Sequence, residues 1–285
     1  MLSIILLRLA TYLFILFPLA NNGRQSDGSY VLRNNVQVGT GSIAPTPTTY
    51  NLIVFQGDSN SAGRGLNVSA SALELSSRSM VQILNNDNLT FENLQVGVNN
   101  NLQQNLPGGE HGWEIGLANA VSGSTFPPTP CYLVKCGGSG STIAEWLQGG
   151  SPAYNTYGWA KLIERMDAAV NYLNAQGITF KITVWQTIGL NDYNQGVTTS
   201  QYKTRMEQFR ADFRARYGSN IRFCLCDYFD GHPFNTTINQ IVNEDPTGTS
   251  RIVDVTGATY RDGAHYDYNG YKFIAARLVS ASLAP

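Results

Sequence analysis

The chain has 285 residues, of which 42% are hydrophobic and only 14% are charged, with a formal net charge of −1. This length is enough for one large domain or two small ones with a substantial core. The near-zero net charge and the lack of a basic run argue against a protein that binds nucleic acid or an anionic membrane surface.

The first segment, residues 1–20, is apolar apart from Arg8 and has three interpretations. Residues 9–20 have the length of the apolar region of a secretion signal, which is the interpretation we favour. Because Arg8 lies late and Pro18 is poorly placed for cleavage, a helix that contacts an assembly or a membrane surface comes second. A membrane-spanning helix comes third, since Arg8 near its middle would be costly. We therefore expect a secreted protein or, alternatively, a component of a larger extracellular or viral assembly.

The following segment, residues 21–49, is polar and rich in Gly, Asn, Thr and Pro, which predicts a linker or an extended arm. No internal repeat and no second linker follow. We therefore expect residues 50–285 to form a single domain.

Within this domain, continuous apolar runs alternate with amphipathic helical patterns. The predicted strands are YNLIVFQG (50–57), CYLVKCGG (131–138), FKITVWQTIG (180–189), IRFCLCDYF (221–229) and the short RIVDVTG (251–257). Apolar stripes at helical spacing predict helices over residues 162–173, 202–217 and 271–278. This alternation predicts an α/β fold with a parallel sheet covered on both faces.

The four cysteines all fall in predicted strands, and we expect them to be buried free thiols. They are Cys131, Cys136, Cys224 and Cys226. Their spacing, with no histidine nearby, is a poor zinc pattern. We predict neither a metal nor a cofactor.

Four of the predicted strands are followed by short polar blocks. They are Gly57-Asp58-Ser59-Asn60, the glycine-rich run from Gly137 to Thr142, Gly189-Leu190-Asn191-Asp192, and Asp262-Gly263-Ala264-His265. In parallel sheets, ligands bind beyond the carboxyl ends of the strands. We therefore expect the chemistry of this protein to lie in these blocks.

The residue types in these blocks fit acyl transfer. Ser59 requires a base to act as a nucleophile at neutral pH, and His265 is the natural base in a chain with three histidines. Asp262, three residues earlier, is suited to orient the imidazole. The backbone N–H of Ser59, a glycine N–H at Gly138 and the amide of Asn191 are candidate donors to an oxyanion.

The four blocks, in this order, resemble those of the SGNH hydrolase superfamily, which carries GDS, glycine, GxND and DxxH blocks. The resemblance covers residues 51–284 and implies a flavodoxin-like three-layer α/β/α sandwich and serine esterase activity without a cofactor. It implies Ser59 as the nucleophile, with Asp262 and His265 completing the triad. It also implies Gly138 and Asn191 as oxyanion donors, with Gly137 and Gly140 as alternatives to Gly138.

A narrower resemblance concerns the sialate O-acetylesterase and acetylxylan esterase group. GDSNSAGRG resembles the GQSNMAGRG block of this group, and VKCGGSGSTIAEW and HGWEIGLANA resemble two further segments. Asp58 replaces the Gln of the group, and IGLNDYN carries the GxND block of the superfamily instead of QGExD. The resemblance implies an enzyme that removes an acetyl group from an acetylated carbohydrate.

Two alternatives to this function stay open. One is a lipid, thioester or short-chain ester hydrolase of the same superfamily, and the other is a non-catalytic glycan-binding module on the same fold. Two residues of the HGWEIGLANA segment, His111 and Glu114, either line the substrate pocket or simply begin a helix.

Overall fold

The computed structural model describes residues 48–100, 109–152 and 157–285. The predicted leader and almost all of the predicted linker lie outside these ranges, so both stay predictions. The described residues belong to one compact unit, Thr48–Pro285. None of the helices in this part of the chain has the length and apolar character that crossing a membrane requires.

Nine strands occur in the described residues, and seven of them form the central sheet. These seven are β1 (Thr49–Gly57), β3 (Arg78–Leu84), β4 (Phe91–Leu94), β6 (Cys131–Gly137), β7 (Thr179–Thr187), β8 (Arg222–Cys226) and β9 (Arg251–Val253). The other two, β2 (Gly65–Leu66) and β5 (Glu110–His111), pair with each other. The order across the central sheet is β4-β3-β6-β1-β7-β8-β9.

The neighbouring strands β6-β1-β7-β8-β9 are parallel and follow the 2-1-3-4-5 order of flavodoxin-like folds. All five predicted strands are therefore confirmed. β3 adds to β6 in parallel, and β4 pairs antiparallel with β3 at the edge. Sequence reasoning missed β3 and β4 because several of their residues are partly exposed, whereas a search for continuous apolar runs finds only strands buried on both faces.

Seven α-helices lie in the described residues. They are α1 (Ser59–Ala62), α2 (Glu114–Ser122), α3 (Trp159–Ala175), α4 (Leu190–Asn194), α5 (Thr199–Tyr217), α6 (Phe234–Asn243) and α7 (Tyr268–Leu283). Helices α3, α5 and α6 pack on one face of the sheet, and α2 and α7 pack on the other. Successive side chains of β1 alternate between these two cores, as the pleat of a strand requires. The three-layer sandwich is thus confirmed.

The carboxyl ends of β1, β6 and β7 lie side by side. Gly57, the last residue of β1, is in register with Gly137 on one side and Thr187 on the other. Gly57 has a φ of +137°, and a Cβ atom there would lie 1.9 Å from the carbonyl oxygen of Thr187, so the position requires glycine. The polar blocks that follow these strands therefore begin at one level of the sheet.

Candidate active site

Ser59 is the first residue of the short helix α1, which starts directly beyond the end of β1. Asp58 caps this helix, since its Oδ1 accepts a hydrogen bond from the backbone N–H of Asn60 at 3.0 Å. The helix packs so closely on the end of β6 that a Cβ atom at Gly137 would lie 2.3 Å from the backbone nitrogen of Ala62. The cap and the close packing hold Ser59 at the rim of the sheet.

The structure brings Ser59, His265 and Asp262 together. His265 Nε2 lies 3.0 Å from Ser59 Oγ, and His265 Nδ1 lies 3.0 Å from each carboxylate oxygen of Asp262. With the proton on Nδ1 directed at Asp262, Nε2 is the acceptor that faces the serine hydroxyl. This is the arrangement in which an imidazole removes a proton from a serine.

The environment of Asp262 favours its charged form. Its partial burial by itself raises the pKa of this carboxyl, but hydrogen bonds from the His265 ring and from the backbone N–H groups of Ala264 and His265 hold the pKa well below its usual range. Those backbone bonds measure 2.9 and 2.8 Å. Asp262 therefore stays ionised at neutral pH and stabilises the imidazolium that forms when His265 accepts a proton.

Asn60, the residue after Ser59, connects α1 to the loop that carries His265. Its Nδ2 donates to the carbonyl of Ala264 at 3.0 Å, and its Oδ1 accepts from the backbone N–H of Tyr266 at 3.3 Å and from the hydroxyl of Tyr271 at 3.2 Å. The side chain is 3% exposed. Sequence reasoning missed this role, because the only signal was the position of an Asn inside the GDSN block.

A second connection missed from the sequence is an ion-pair network centred on Glu110. One Glu110 oxygen lies 3.3 Å from Arg64 Nη1, and the other lies 2.7 Å from Arg261 Nη1. Arg64 Nη2 donates to Ser139 Oγ at 3.0 Å, and Arg261 Nε lies 3.6 Å from Asp262 Oδ2. The network therefore joins the segment after α1, the glycine-rich loop after β6 and the loop of the triad.

Two of the three expected oxyanion donors keep hydrogen atoms that can serve an oxyanion. Ser59 occupies the first position of α1, where a backbone N–H has no acceptor within the helix. Asn191 Nδ2 donates to the carbonyl of Ser141 at 3.1 Å, which uses one of its two amide hydrogens and orients the group.

The prediction for Gly138 requires correction. Its backbone N–H donates to the carbonyl of Gly57 at 2.7 Å, so the ladder between β1 and β6 continues for one residue beyond the assigned strands. This N–H therefore forms a hydrogen bond within the sheet and does not face an oxyanion in this structure. The alternative Gly137 packs against α1, whereas Gly140 lines the groove next to Asn191.

Two buried acids, Asp58 and Asp192, adjoin Ser59 and Asn191 in the chain. Burial raises the pKa of Asp58 to about 7, with the hydrogen bond from Asn60 opposing this shift and the charge of Asp192 adding to it. Burial also raises the pKa of Asp192 to about 6, although its Oδ2 accepts from the backbone N–H of Ile143 at 2.9 Å. Both carboxyls anchor backbone segments of the site, which is a structural role.

The prediction that His111 and Glu114 line the pocket is wrong. Both are 0% exposed, so neither side chain is accessible to a substrate in this structure. His111 Nδ1 lies 2.9 Å from Asn67 Oδ1, and Glu114 Oε1 lies 2.7 Å from Lys135 Nζ. Glu114 is the first residue of α2, which confirms the alternative that this residue begins a helix.

The described residues contain no group of three His, Cys, Asp or Glu side chains placed to hold a metal ion. All four cysteines are buried and unpaired, as expected for free thiols in strands.

Comparisons with known proteins identify one family. The sequence model described as "Carbohydrate esterase, sialic acid-specific acetylesterase" matches residues 49–284. No curated protein sequence matches the chain.

Several solved structures share the fold. A protein from Arabidopsis thaliana is 16% identical with a TM-score of 0.63, over 83% of this chain and 98% of its own. NanS is 15% identical with a TM-score of 0.54, over 84% of this chain and 98% of its own. A carbohydrate acetylesterase from Xanthomonas citri is 11% identical with a TM-score of 0.53, over 81% of this chain but 55% of its own. At these identities the similarity establishes the fold alone.

Proposed function

Because the chain belongs to the carbohydrate esterase family described as sialic acid-specific acetylesterases, we propose that it is a serine esterase that removes acetyl groups from an O-acetylated carbohydrate. The observation that carries this proposal is the 3.0 Å contact between Ser59 Oγ and His265 Nε2, with Nδ1 held by Asp262. These three side chains supply a nucleophile, a base and an orienting group at the end of the sheet.

In the acylation step, Ser59 Oγ attacks the carbonyl carbon of the acetyl ester while its proton passes to His265 Nε2. The charge that develops on the carbonyl oxygen is stabilised by the backbone N–H of Ser59 and by the amide of Asn191. Asp262 stabilises the imidazolium. The intermediate then collapses, the C–O bond to the sugar breaks, and the sugar oxygen takes the proton from Nε2.

In the deacylation step, a water molecule attacks the acetyl group on Ser59 and gives a proton to His265 Nε2. Collapse of the second intermediate returns this proton to Ser59 Oγ and releases acetic acid, which ionises to acetate in water. The same base therefore serves both halves of the reaction, and no cofactor is required.

The test is the substitution Ser59→Ala. We expect it to lower kcat for p-nitrophenyl acetate by about 10³–10⁶ with unchanged circular dichroism. A fluorophosphonate probe should modify Ser59 in the wild-type protein and fail to modify the variant. Ser61→Ala is the matched control, because Ser61 lies in the same helix but its hydroxyl donates to the carbonyl of Gln56 at 2.7 Å. This control should still react with the probe.

Activity of the Ser59→Ala variant within tenfold of wild type would refute the proposal. A wild-type protein that does not react with the probe would support the alternative of a glycan-binding module. A preference for octanoyl over acetyl esters would support the alternative of a lipid hydrolase.

A further inference from the structure

A groove of about 460 Å³ opens beside Asn191, between the glycine-rich loop after β6 and the helix α4. Its volume is within the roughly 300–1,000 Å³ typical of small-molecule sites. The lining residues are Ser139, Gly140, Asn191, Asn194 and Gln195. Asn191 is also the proposed oxyanion donor, so a molecule in this groove would contact a residue of the proposed active site.

The helix α4 determines which side chains face the groove. Asn191 and Asn194 are three residues apart and therefore lie on the same side of the helix. Gln195 follows at its C-terminal end, whereas the intervening Asp192 points into the protein and is 0% exposed. The side-chain amides of Asn194 and Gln195 are exposed and make no hydrogen bond to other described residues.

The side chains that line the groove are polar and uncharged. Each carboxamide offers N–H donors and a carbonyl acceptor, which together match sugar hydroxyl groups, since a hydroxyl both donates and accepts. A long acyl chain would bury these groups without partners, which is unfavourable. A carboxylate would meet no cation among the lining residues, and the guanidinium of the nearby Arg64 already contacts Ser139 Oγ and Glu110.

We infer that this groove binds an uncharged sugar residue of the O-acetylated glycan, and that Asn194 and Gln195 recognise its hydroxyl groups. This inference rests on the proposed function, because it places the sugar next to the ester cleaved at Ser59. It adds a substrate class, namely glycans that are neutral at the position next to the ester.

The first experiment compares the double variant Asn194→Ala/Gln195→Ala with wild type on three kinds of acetyl ester. These are acetylated xylotetraose and mannotetraose, 9-O-acetyl-N-acetylneuraminic acid as an acidic sugar, and p-nitrophenyl acetate as a reporter without a sugar. For each protein we divide kcat/KM for the acetylated neutral sugars by kcat/KM for the reporter. We expect this ratio to be at least about tenfold lower in the variant, mainly because KM for the sugars rises.

The matched control is Asn220→Ala/Gln240→Ala, which removes two exposed amides away from the site. Asn220 lies before the start of β8, at the opposite end of the strands, and Gln240 lies in α6. This control should keep the wild-type ratio. The inference is overturned if the groove variant also keeps that ratio, or if wild type prefers the acetylated acidic sugar.

The second experiment measures binding without catalysis. The Ser59→Ala protein is titrated with unacetylated xylotetraose and mannotetraose, and the shifts of its amide signals are followed by NMR. We expect binding that is at least about tenfold weaker when Asn194→Ala/Gln195→Ala is added. Binding of neither sugar, or equal binding by both proteins, overturns the inference. Groove-dependent binding by a protein whose wild type hydrolyses no ester would instead refute only the proposed function.

Discussion

Asn60 Nδ2 donates to the carbonyl of Ala264 at 3.0 Å, so the residue after Ser59 holds the residue before His265. On the other side of His265, the backbone N–H of Tyr266 donates to the same carboxamide. Ser59 and His265 are 206 positions apart in the chain, and this one buried amide bonds to both neighbours of the histidine. We conclude that Asn60 is a positioning residue for the triad.

We expect Asn60→Ala to lower kcat for p-nitrophenyl acetate by about ten- to a hundredfold, because a displacement of His265 by a fraction of an ångström weakens proton transfer. The loss of its hydrogen bonds should also lower the free energy of unfolding by about 1–3 kcal/mol. Asn51→Ala is the matched control, since Asn51 is equally buried and its Nδ2 donates to the carbonyl of Pro127 at 3.1 Å, away from the triad. A similar loss of kcat in both variants, measured well below their unfolding temperatures, would contradict the positioning role.

The buried carboxyl of Asp58 should make stability depend on pH. Its pKa of about 7 in the folded protein is above the ordinary value of 3.8, so the folded protein keeps a proton that the unfolded chain releases. The free energy of unfolding should therefore fall as pH rises from about 4 to about 7, and level off above that.

Substitution Asp58→Asn removes this titration and keeps the oxygen that caps α1. We expect a flatter dependence of the free energy of unfolding on pH between about 4 and 7, and a variant more stable than wild type at pH 8. Urea unfolding at several pH values measures this. The exposed Asp230 provides the control Asp230→Asn, and an equal slope for wild type and Asp58→Asn would show that Asp58 is not the titrating group.

Single and double substitution of the buried pair Lys135 and Glu114 should change the free energy of unfolding by very different amounts. The two side chains are 3% and 0% exposed, with 2.7 Å between Nζ and Oε1. Lys135→Met leaves the carboxylate of Glu114 buried without its cation, which should cost about 3–5 kcal/mol in the free energy of unfolding. Lys135→Met/Glu114→Gln should recover most of this loss.

The control for this pair is Lys203→Met, which breaks two exposed ion pairs. The Lys203 side chain is 26% exposed, and those of its partners Glu207 and Glu244 are 40% and 57% exposed. Breaking an exposed pair should cost less than about 1 kcal/mol. Urea unfolding of these three variants and wild type provides the comparison. A double variant as unstable as the single Lys135→Met would show that the pair is not coupled.

Much of the fold was predictable because its signals are local. A strand buried on both faces has a continuous run of apolar residues, and a helix packed on the sheet has apolar residues at helical spacing. Five strands and three long helices were therefore found. Strands β3 and β4 were missed for the same reason, since their partly exposed residues interrupt the apolar pattern. The short α6 was also missed, although it buries Phe234, Ile238 and Ile241.

The amino-acid sequence alone determined five of the strands, three of the helices, the parallel sheet, and the four polar blocks that stand beyond its strands. The tertiary structure decided which groups in these blocks face one another. In the folded chain the N–H of Gly138 bonds within the sheet, and His111 and Glu114 are buried. Asn60 forms hydrogen bonds to the residues on both sides of His265. The physical reason is that an apolar pattern records which residues are buried, whereas a hydrogen bond between distant residues depends on strand register and loop path, which only the folded chain defines.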